Sequence, residues 1–549
     1  ALVAALESQA FDVVDSVEIA APPVTRGGRR RGASDVAPGA AVDLAVELAP
    51  GEDAVVLVEE DGEYRWQLPA TAPAPADARP RTRRRRDDGD ADARPRTATF
   101  TVTISPPVEE AAAARARRGP IRRFFLGRVK AYVLRFVARK VGDAAMDRLE
   151  RDVKAGLVHV TDARDPSRWT LLADDAPLPL RNAASPRVLL LVHGTFSSTA
   201  GSFGHLAHTE HGRRFLERAL ASYDAVIGFD HHTLSLDPRQ NAEALLARLG
   251  ALGWPAGVTV DAVGYSRGGL VFRSFVEQLL PSSAWRPRVD RAVFVACTNA
   301  GTRLAEPANW HELVNLHTNL AAAACRGLAL VPGAAPFALI FGEIISGVGA
   351  LVKYLATHAV DEGGVPGLAA MKPGGKFVTE LNGSGDGEPT PDDTHYCVVT
   401  SEFEPSLAAD DVARTGIAPR LMKRLADGFM DRLMGEANDL VVHVDSMSAI
   451  DRGRGDFVKE LFDFGPNGVV FHTTYFSQPR TVEALTGWLR VGDAAPTRAR
   501  GRTRGSRAAR PHLPPLPGPV PEVPAELLLD PRDTATRRGG ARSRRSPEG

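Results

Sequence analysis

Cysteine is scarce in this sequence. Cys297, Cys325 and Cys397 are the three present, too few and too scattered for a disulfide framework or a four-ligand zinc site. So little sulfur reads as a reduced, cytoplasmic protein. Net charge is missing as well: 67 Lys and Arg balance 67 Asp and Glu, so no global field draws the chain to nucleic acid or to an anionic membrane. The opening residues, ALVAALESQAFDVVD, carry no basic leader, and no signal peptide is read there. An unbroken apolar run is also lacking. The most apolar stretch, 327–356, is interrupted by Pro332, Pro336, Glu343 and several glycines, whereas a membrane-spanning helix needs about 20 mostly apolar residues. No transmembrane span, phosphate loop, nucleotide fingerprint or internal repeat is read. HTEHGRR (208–214) holds two histidines but no third ligand, so no metal or other cofactor is expected.

What is present divides along the chain. Residues 1–107 form a β-rich N-terminal region. VDLAVEL (42–48), AVVLVEEDGEYRWQL (54–68) and TATFTVTI (97–104) alternate as strands do, with Asp61-Gly62 as a hairpin turn. A Pro/Ala/Arg/Asp segment at 69–96 reads as a disordered insertion. Its run Arg83 to Arg86 is neutralised by Asp87, Asp88 and Asp90, which fits a solvated loop better than a nucleic-acid contact.

Residues 108–180 read as a helical and strand connector. Phe125, Val129, Val133, Phe136, Val137 and Val141 recur at helical spacing among many basic residues. Such a basic amphipathic helix, 121–141, can make peripheral membrane contact; more often its stripe packs on a neighbouring domain.

Over 181–494 short apolar runs alternate with helical stretches. The candidate strands are 187–193, 224–229, 258–265, 291–297, 395–402 and 468–472. Strands separated by helices imply crossovers and a mostly parallel sheet flanked by helices. The tail, 495–549, is rich in Arg, Pro and Gly and reads as disordered, with PHLPPLPGPVPEVP (511–524) suited to polyproline II. High Arg, Ala and Gly usage points to a GC-rich bacterial source.

The sharpest chemical signal is VDAVGYSRGGLVFR (260–273). Gly264-x-Ser266-x-Gly268 stands directly after a strand and before a helical pattern. A tight strand-to-helix turn exposes a serine at a helix N-terminus, and the glycines give room for close backbone approach. A second element, LLLVHGTFSST (189–199), runs a strand into His193-Gly194-Thr195. The loop after such a strand supplies one oxyanion-hole N–H and the residue after the nucleophile the other. Thr195 or Phe196 and Arg267 are therefore the expected donors.

The acid and the base should follow the serine in that order. GEANDLVVHVDSMS (435–448) places Asp439 before an apolar run, with Asp445 as the runner-up. GVVFHTTYFSQ (468–478) places His472 after an apolar run and before a helix. Serine attack, imidazole base and orienting carboxylate are the parts that acyl transfer requires.

These blocks, LLLVHGTFSS, VGYSRGG, ANDLVVHVDS and HTTYFSQ, resemble those of bacterial lipases and esterases of the α/β-hydrolase superfamily over about 186–492. The resemblance implies an α/β-hydrolase fold and cleavage of carboxylic esters, with no cofactor, and leaves the acyl chain open. Two departures stand out. Arg267 puts a long cation where many lipases have an apolar residue, and the stretch between serine and acid is long. That stretch, 302–380, is apolar and proline-broken, and reads as a helical cap over a site for lipid-like or apolar acyl esters, with a packing layer as its alternative. Thioesterase, amidase or acyltransferase chemistry would use the same triad. A catalytically silent interaction module is the remaining alternative.

Overall fold

The computed structural model describes residues 11–20, 41–70, 96–104, 128–137, 150, 153–174, 176–178, 180–181, 185–251, 257–328, 337–358, 362–383, 394–450 and 457–492. The expected insertion, apart from its ends, and the expected tail lie outside them.

Among the described residues the first six strands are β1 (Asp12–Ala20), β2 (Ala41–Leu48), β3 (Glu52–Glu60), β4 (Glu63–Gln67) and β5 (Arg96–Thr103) of the N-terminal region, and β6 (Arg128–Val137) from the segment after it. Four make an antiparallel sheet in the order β1-β6-β3-β4, and β2 pairs with β5. Asp61 and Gly62 both take positive φ, 52° and 82°, as the two-residue turn of a tight hairpin requires. The apolar run of β3 is continuous because both its faces are covered. Ala54, Val56 and Val58 pack with Val46, Leu48, Phe100 and Val102, while Val55 and Leu57 join Trp66, Leu134 and Phe136 in the main core.

The amphipathic helix expected at 121–141 is corrected here. Residues 128–137 are strand β6, inside the N-terminal sheet; Phe125 and Val141 lie outside the described residues. Val129 and Val133 are four apart, a spacing that keeps two residues on one face at period 2 as well as at period 3.6. The β-branched and aromatic content of RVKAYVLRFV favours the strand.

The second sheet has eight strands: β7 (Gly156–His159), β8 (Thr170–Leu171), β9 (Arg187–Val192), β10 (Ala225–Asp230), β11 (Thr259–Tyr265), β12 (Arg288–Val295), β13 (His395–Phe403) and β14 (Val458–Asn467). Their order is β14-β13-β12-β11-β9-β10-β7-β8. Strands β9 to β14 pair in parallel, whereas β7 and β8 are antiparallel additions at one edge. The sheet thus begins at Gly156, ahead of the 181 boundary read from sequence. The strand expected at 468–472 is a loop, and the last strand is VKELFDFGPN, just before it. As an edge strand, β14 has a half-exposed, alternating face instead of the unbroken apolar run of an interior strand.

Helices cover both faces, making an α/β fold. Those used below are α1 (Thr199–Phe203), α2 (Glu210–Ser222), α3 (Pro238–Gly250), α4 (Gly268–Arg273), α5 (Trp310–Leu328), α6 (Phe337–Thr357) and α7 (Pro479–Trp488). Alternation along β9 sends Val188, Leu190 and Val192 to a core with Leu245 and Leu249 of α3 and Phe272 of α4. Leu189 and Leu191 face the opposite core with Phe215 and Leu216 of α2 and Leu485 of α7. Each such side chain contributes about 1.5–3 kcal/mol when fully buried. Helix α3 starts at a capping box between Asp237 and Gln240, with Pro238 in its first turn.

Helix α5 joins the two sheets through side chains spaced by four. Asn315 Oδ1 accepts from Trp66 N–H (2.8 Å), and Asn319 exchanges two bonds with the Tyr64 backbone (2.9 and 2.6 Å). His311 Nε2 meets Trp66 O (2.7 Å), and the Trp66 indole donates to Thr318 Oγ1 (2.9 Å). Strand β4 is a sheet edge, whose backbone groups otherwise lack partners. The stripe on α5 satisfies them, and Leu313 and His317 of the same helix line the site below.

Candidate active site

Ser266 sits between the end of β11 and the start of α4, at the carboxyl end of the parallel strands. Strand β9 is flanked by β10 on one side and β11 on the other, so the chain changes direction across the sheet there. Crevices in open α/β sheets form at such points. Ser266 has φ 54°, a left-handed conformation costing a non-glycine residue about 1–2 kcal/mol. Its N–H donates to Val295 O at 3.0 Å, which helps hold the turn. A Cβ on Gly268 would collide with the carbonyl oxygens of Val192 and His193, and one on Gly194 would lie 2.7 Å from Ser266 Cβ. The β9 loop and the serine turn therefore touch backbone to backbone. Gly264, on β11, completes the G-x-S-x-G spacing.

Three residues chosen from chain order form one hydrogen-bonded line. His472 Nε2 is 3.0 Å from Ser266 Oγ, and His472 Nδ1 is 2.9 Å from Asp439 Oδ2. Because a carboxylate only accepts, Nδ1 carries the proton and Nε2 is left to accept from the serine hydroxyl. Asp439 is fully buried, His472 is 3% exposed and Ser266 5%. The Asp439 carboxylate is saturated: Oδ1 accepts from the N–H groups of Val441 (3.1 Å) and Val442 (2.8 Å), and Oδ2 also accepts from Tyr475 OH at 3.1 Å. Tyr265 OH donates to His472 O at 2.5 Å, and His472 N–H donates to Asp439 O at 3.0 Å. Such a line can carry a proton from hydroxyl to imidazole and stabilise the resulting cation. Asp445 is exposed, at the start of the short helix Val444–Ser448, and takes no part in it.

The expected oxyanion donors separate into two groups. Among the described residues no acceptor faces the backbone N–H of Thr195 or of Arg267. Phe196, with φ 56°, donates its N–H to Thr233 Oγ1 at 3.3 Å and is already committed. The Arg267 side chain is a further correction. Its guanidinium is fully buried, donates to Leu236 O at 2.5 Å and lines neither cavity at Ser266. Burial lowers its pKa to about 10, opposed by the charges of Glu150 and Asp237. His193 supports the same loop: its Nδ1 donates to Gly194 O (2.9 Å), and Nε2 accepts from His231 N–H (3.2 Å).

Several site residues carried no signal in the sequence. Two cavities meet at Ser266. One is lined by Thr298, Thr302, Leu313, Leu368, Met371 and Val441 among others, the other by Ser197, Ser202, His205, Thr473 and Phe476; Thr195 and His317 border both. His317 donates Nδ1–H to Leu313 O (3.0 Å), and burial lowers its pKa to about 4. Glu150, 3% exposed, accepts from the N–H groups of Thr233 (3.0 Å), Leu234 (2.9 Å) and Ser235 (2.6 Å), the loop that engages Phe196.

One group of ligand-type atoms occurs among the described residues: His395, Cys397 and Glu460, all within 4.8 Å of one another. His395 Nε2 and Glu460 Oε1 already bond each other at 2.9 Å, and Glu460 Oε2 accepts from the Trp488 indole at 2.7 Å. These residues stand near the amino ends of β13 and β14, away from Ser266. No described helix is long and apolar enough to cross a membrane.

Among solved structures, phospholipase PlaB from Legionella pneumophila is similar at 13% identity and TM-score 0.29, covering 48% of this chain and 46% of its own. This chain thus spans about half the length of that phospholipase. A lipase-esterase related protein from Clostridium acetobutylicum is similar at 14% identity and TM-score 0.31, over 61% of this chain and 99% of its own. Lipase 1 from Pelosinus fermentans gives 11% identity and TM-score 0.35, over 57% and 100%. No curated protein matches the sequence. Residues 1–136 match the family described as "Domain of unknown function (DUF7362)". Residues 155–490, more than half of the chain, match "Domain of unknown function (DUF7379)", and the chain belongs to that family.

Proposed function

We propose that this protein is a serine hydrolase of the α/β-hydrolase type that cleaves carboxylic esters through an acyl-enzyme. The observation that carries the reading is the line Ser266 Oγ, His472 Nε2, His472 Nδ1, Asp439 Oδ2, with links of 3.0 and 2.9 Å. His472 takes the Ser266 proton as Oγ attacks the ester carbonyl carbon, and Asp439 holds the imidazole in the accepting tautomer. The N–H groups of Thr195 and Arg267 receive the oxyanion, each worth roughly 3–4 kcal/mol when aligned. His472 then returns the proton to the departing alkoxide oxygen. Water, deprotonated by the same imidazole, releases the acid and frees Ser266. The positive φ of Ser266 supports the nucleophile role, since strain of this kind gathers at sites where geometry is over-determined.

The test is covalent labelling with a fluorophosphonate. The native chain is expected to label at Ser266. Labelling is expected to be abolished in Ser266→Ala and reduced at least a hundredfold in rate in His472→Ala. Ester turnover that survives Ser266→Ala would overturn the reading.

A further inference from the structure

Resting on Ser266 as nucleophile, the two cavities at the serine assign the two halves of the ester. His472 lines the cavity that holds Ser197, Ser202, His205 and Thr473, and does not line the other. The group that His472 must protonate is the leaving oxygen. The alcohol therefore leaves on the His205 side, and the acyl group occupies the side of Ala305, Leu313, Leu368, Met371 and Val441.

These two sides differ in size, and the acyl side, though mostly apolar, also holds Thr302, whose hydroxyl donates to Val441 O, and Thr298, whose buried Oγ1 has no partner among the described residues. On the acyl side the room open to the centre of a water-sized molecule is ≈ 10 Å³, and on the alcohol side ≈ 40 Å³. About 10–15 Å³ by this measure accommodates one water, so the room beside Ser266 on the acyl side is that of a methyl-sized group and disfavours a long chain. That wall is held in place. Leu313 and His317 belong to α5, whose opposite stripe is bonded to strand β4 through His311, Asn315, Thr318 and Asn319. Gly347 of α6 packs on Phe196 so closely that a Cβ there would come within 2.7 Å of Phe196 Cα.

On the alcohol side the polar groups have bonding capacity left over. His205 is 5% exposed and lines this cavity. Thr473 Oγ1 is buried and without a hydrogen-bond partner among the described residues. Ser202 Oγ donates to Ser197 Oγ at 3.0 Å, and Ser197 Oγ reaches Ser198 O at 3.4 Å, leaving acceptor positions on Ser202. Burial lowers the His205 pKa to about 4. The ring is then neutral at pH 7, with one N–H donor and one acceptor nitrogen. A neutral donor–acceptor set matches hydroxyl groups, and an unpaired buried polar atom penalises an alcohol that lacks them.

We infer that the natural ester joins a short acyl group to a polyhydroxylated alcohol, with His205 and Thr473 as the residues that recognise its free hydroxyls. This reading puts a small acyl group in place of the lipid-like one expected from the apolar content of 302–380, because Ala305, Leu313, Leu368 and Met371 of that segment leave little room beside Ser266.

Hydrolysis by the full chain tests this with four probes: p-nitrophenyl butyrate against p-nitrophenyl decanoate, and glyceryl monobutyrate against ethyl butyrate. The expected kcat/KM favours butyrate over decanoate, and the glyceryl over the ethyl ester, by at least tenfold each. His205→Leu is expected to lower the glyceryl-to-ethyl ratio at least fivefold, His205→Gln to hold it within twofold. Thr473→Val, on a separate loop, lowers it too. Equal rates across either pair, or a ratio unmoved by both His205→Leu and Thr473→Val, overturn the inference. Fluorophosphonate labelling of Ser266 separates the two levels. A chain that labels but hydrolyses none of the four esters refutes the pocket assignment alone, whereas one that neither labels nor hydrolyses refutes the nucleophile as well.

Discussion

Replacing Asp439 by asparagine tests the proposed chemistry at its most specific point. The two carboxylate oxygens have different surroundings. Oδ1 accepts from two backbone N–H groups, those of Val441 and Val442, whereas Oδ2 accepts from His472 Nδ1 and Tyr475 OH. An amide in this position must turn its oxygen toward the two N–H donors, because its NH₂ there would leave three donors facing one another in a fully buried place. The NH₂ group is then aimed at His472 Nδ1. A donor opposite Nδ1 forces that nitrogen to accept, and the ring proton moves to Nε2, the atom that must accept from Ser266. The imidazole stays in place in the wrong tautomer. Loss of a correct tautomer with intact geometry is worth about 10⁴-fold in rate, or about 5.5 kcal/mol at 1.36 kcal/mol per decade. The assay is kcat/KM on p-nitrophenyl butyrate together with the fluorophosphonate labelling rate, and both are expected to fall by three to four decades. Thermal unfolding is expected to shift only a few degrees, since the Val441 and Val442 bonds remain. An Asp439→Asn chain within tenfold of native activity would refute the tautomer reasoning and the role of Asp439 with it.

Glu150→Gln should destabilise the protein by roughly 3 kcal/mol in urea unfolding. One arm of the new amide must face a backbone donor of the 233–235 loop, and Arg267 loses the charge opposing its burial; a loss under 1 kcal/mol would show that this carboxylate does not anchor the loop. Stability should also depend on pH through His205 and His317. Burial lowers both to about 4 in the folded chain, against about 6.5 unfolded. Between those values the unfolded chain binds protons that the folded chain does not, so this contribution is complete above pH 6.5. It is lost progressively down to pH 4, by roughly 3 kcal/mol per histidine. Urea midpoints at pH 7.5 and 4.5 measure the loss, and His317→Gln should make it smaller; an unchanged difference would mean that the imidazole is already solvated.

The elements legible in the sequence are those whose physics is local or whose burial is two-sided. Strands β9, β11 and β12 are interior and mostly buried, and β9 and the second half of β12 read as the apolar runs VLLLV and AVFV. The turn at Ser266 could be read because strand, glycine spacing and helix lie within 14 consecutive residues, 260–273. Asp439 and His472 were chosen by chain order relative to that turn, and the structure brings both within hydrogen-bond distance of the line that ends at Ser266. Strand β6 was misread because a spacing of four does not distinguish a strand from a helix. Strand β14 was missed because an edge strand alternates with polar residues.

The sequence by itself determined which segments are β-rich, which alternate as α/β, and where a serine could be held at a strand-to-helix turn, because period and turn chemistry are properties of neighbouring residues. Only the tertiary structure decided what surrounds that serine. Helix α5 offers one stripe to the edge of the N-terminal sheet and another to the site, so its position is set by strand β4, some 250 residues upstream. Glu150, His205 and His317 look like ordinary polar residues in sequence. Their roles follow from burial and from the groups that face them, and neither is encoded in spacing along the chain.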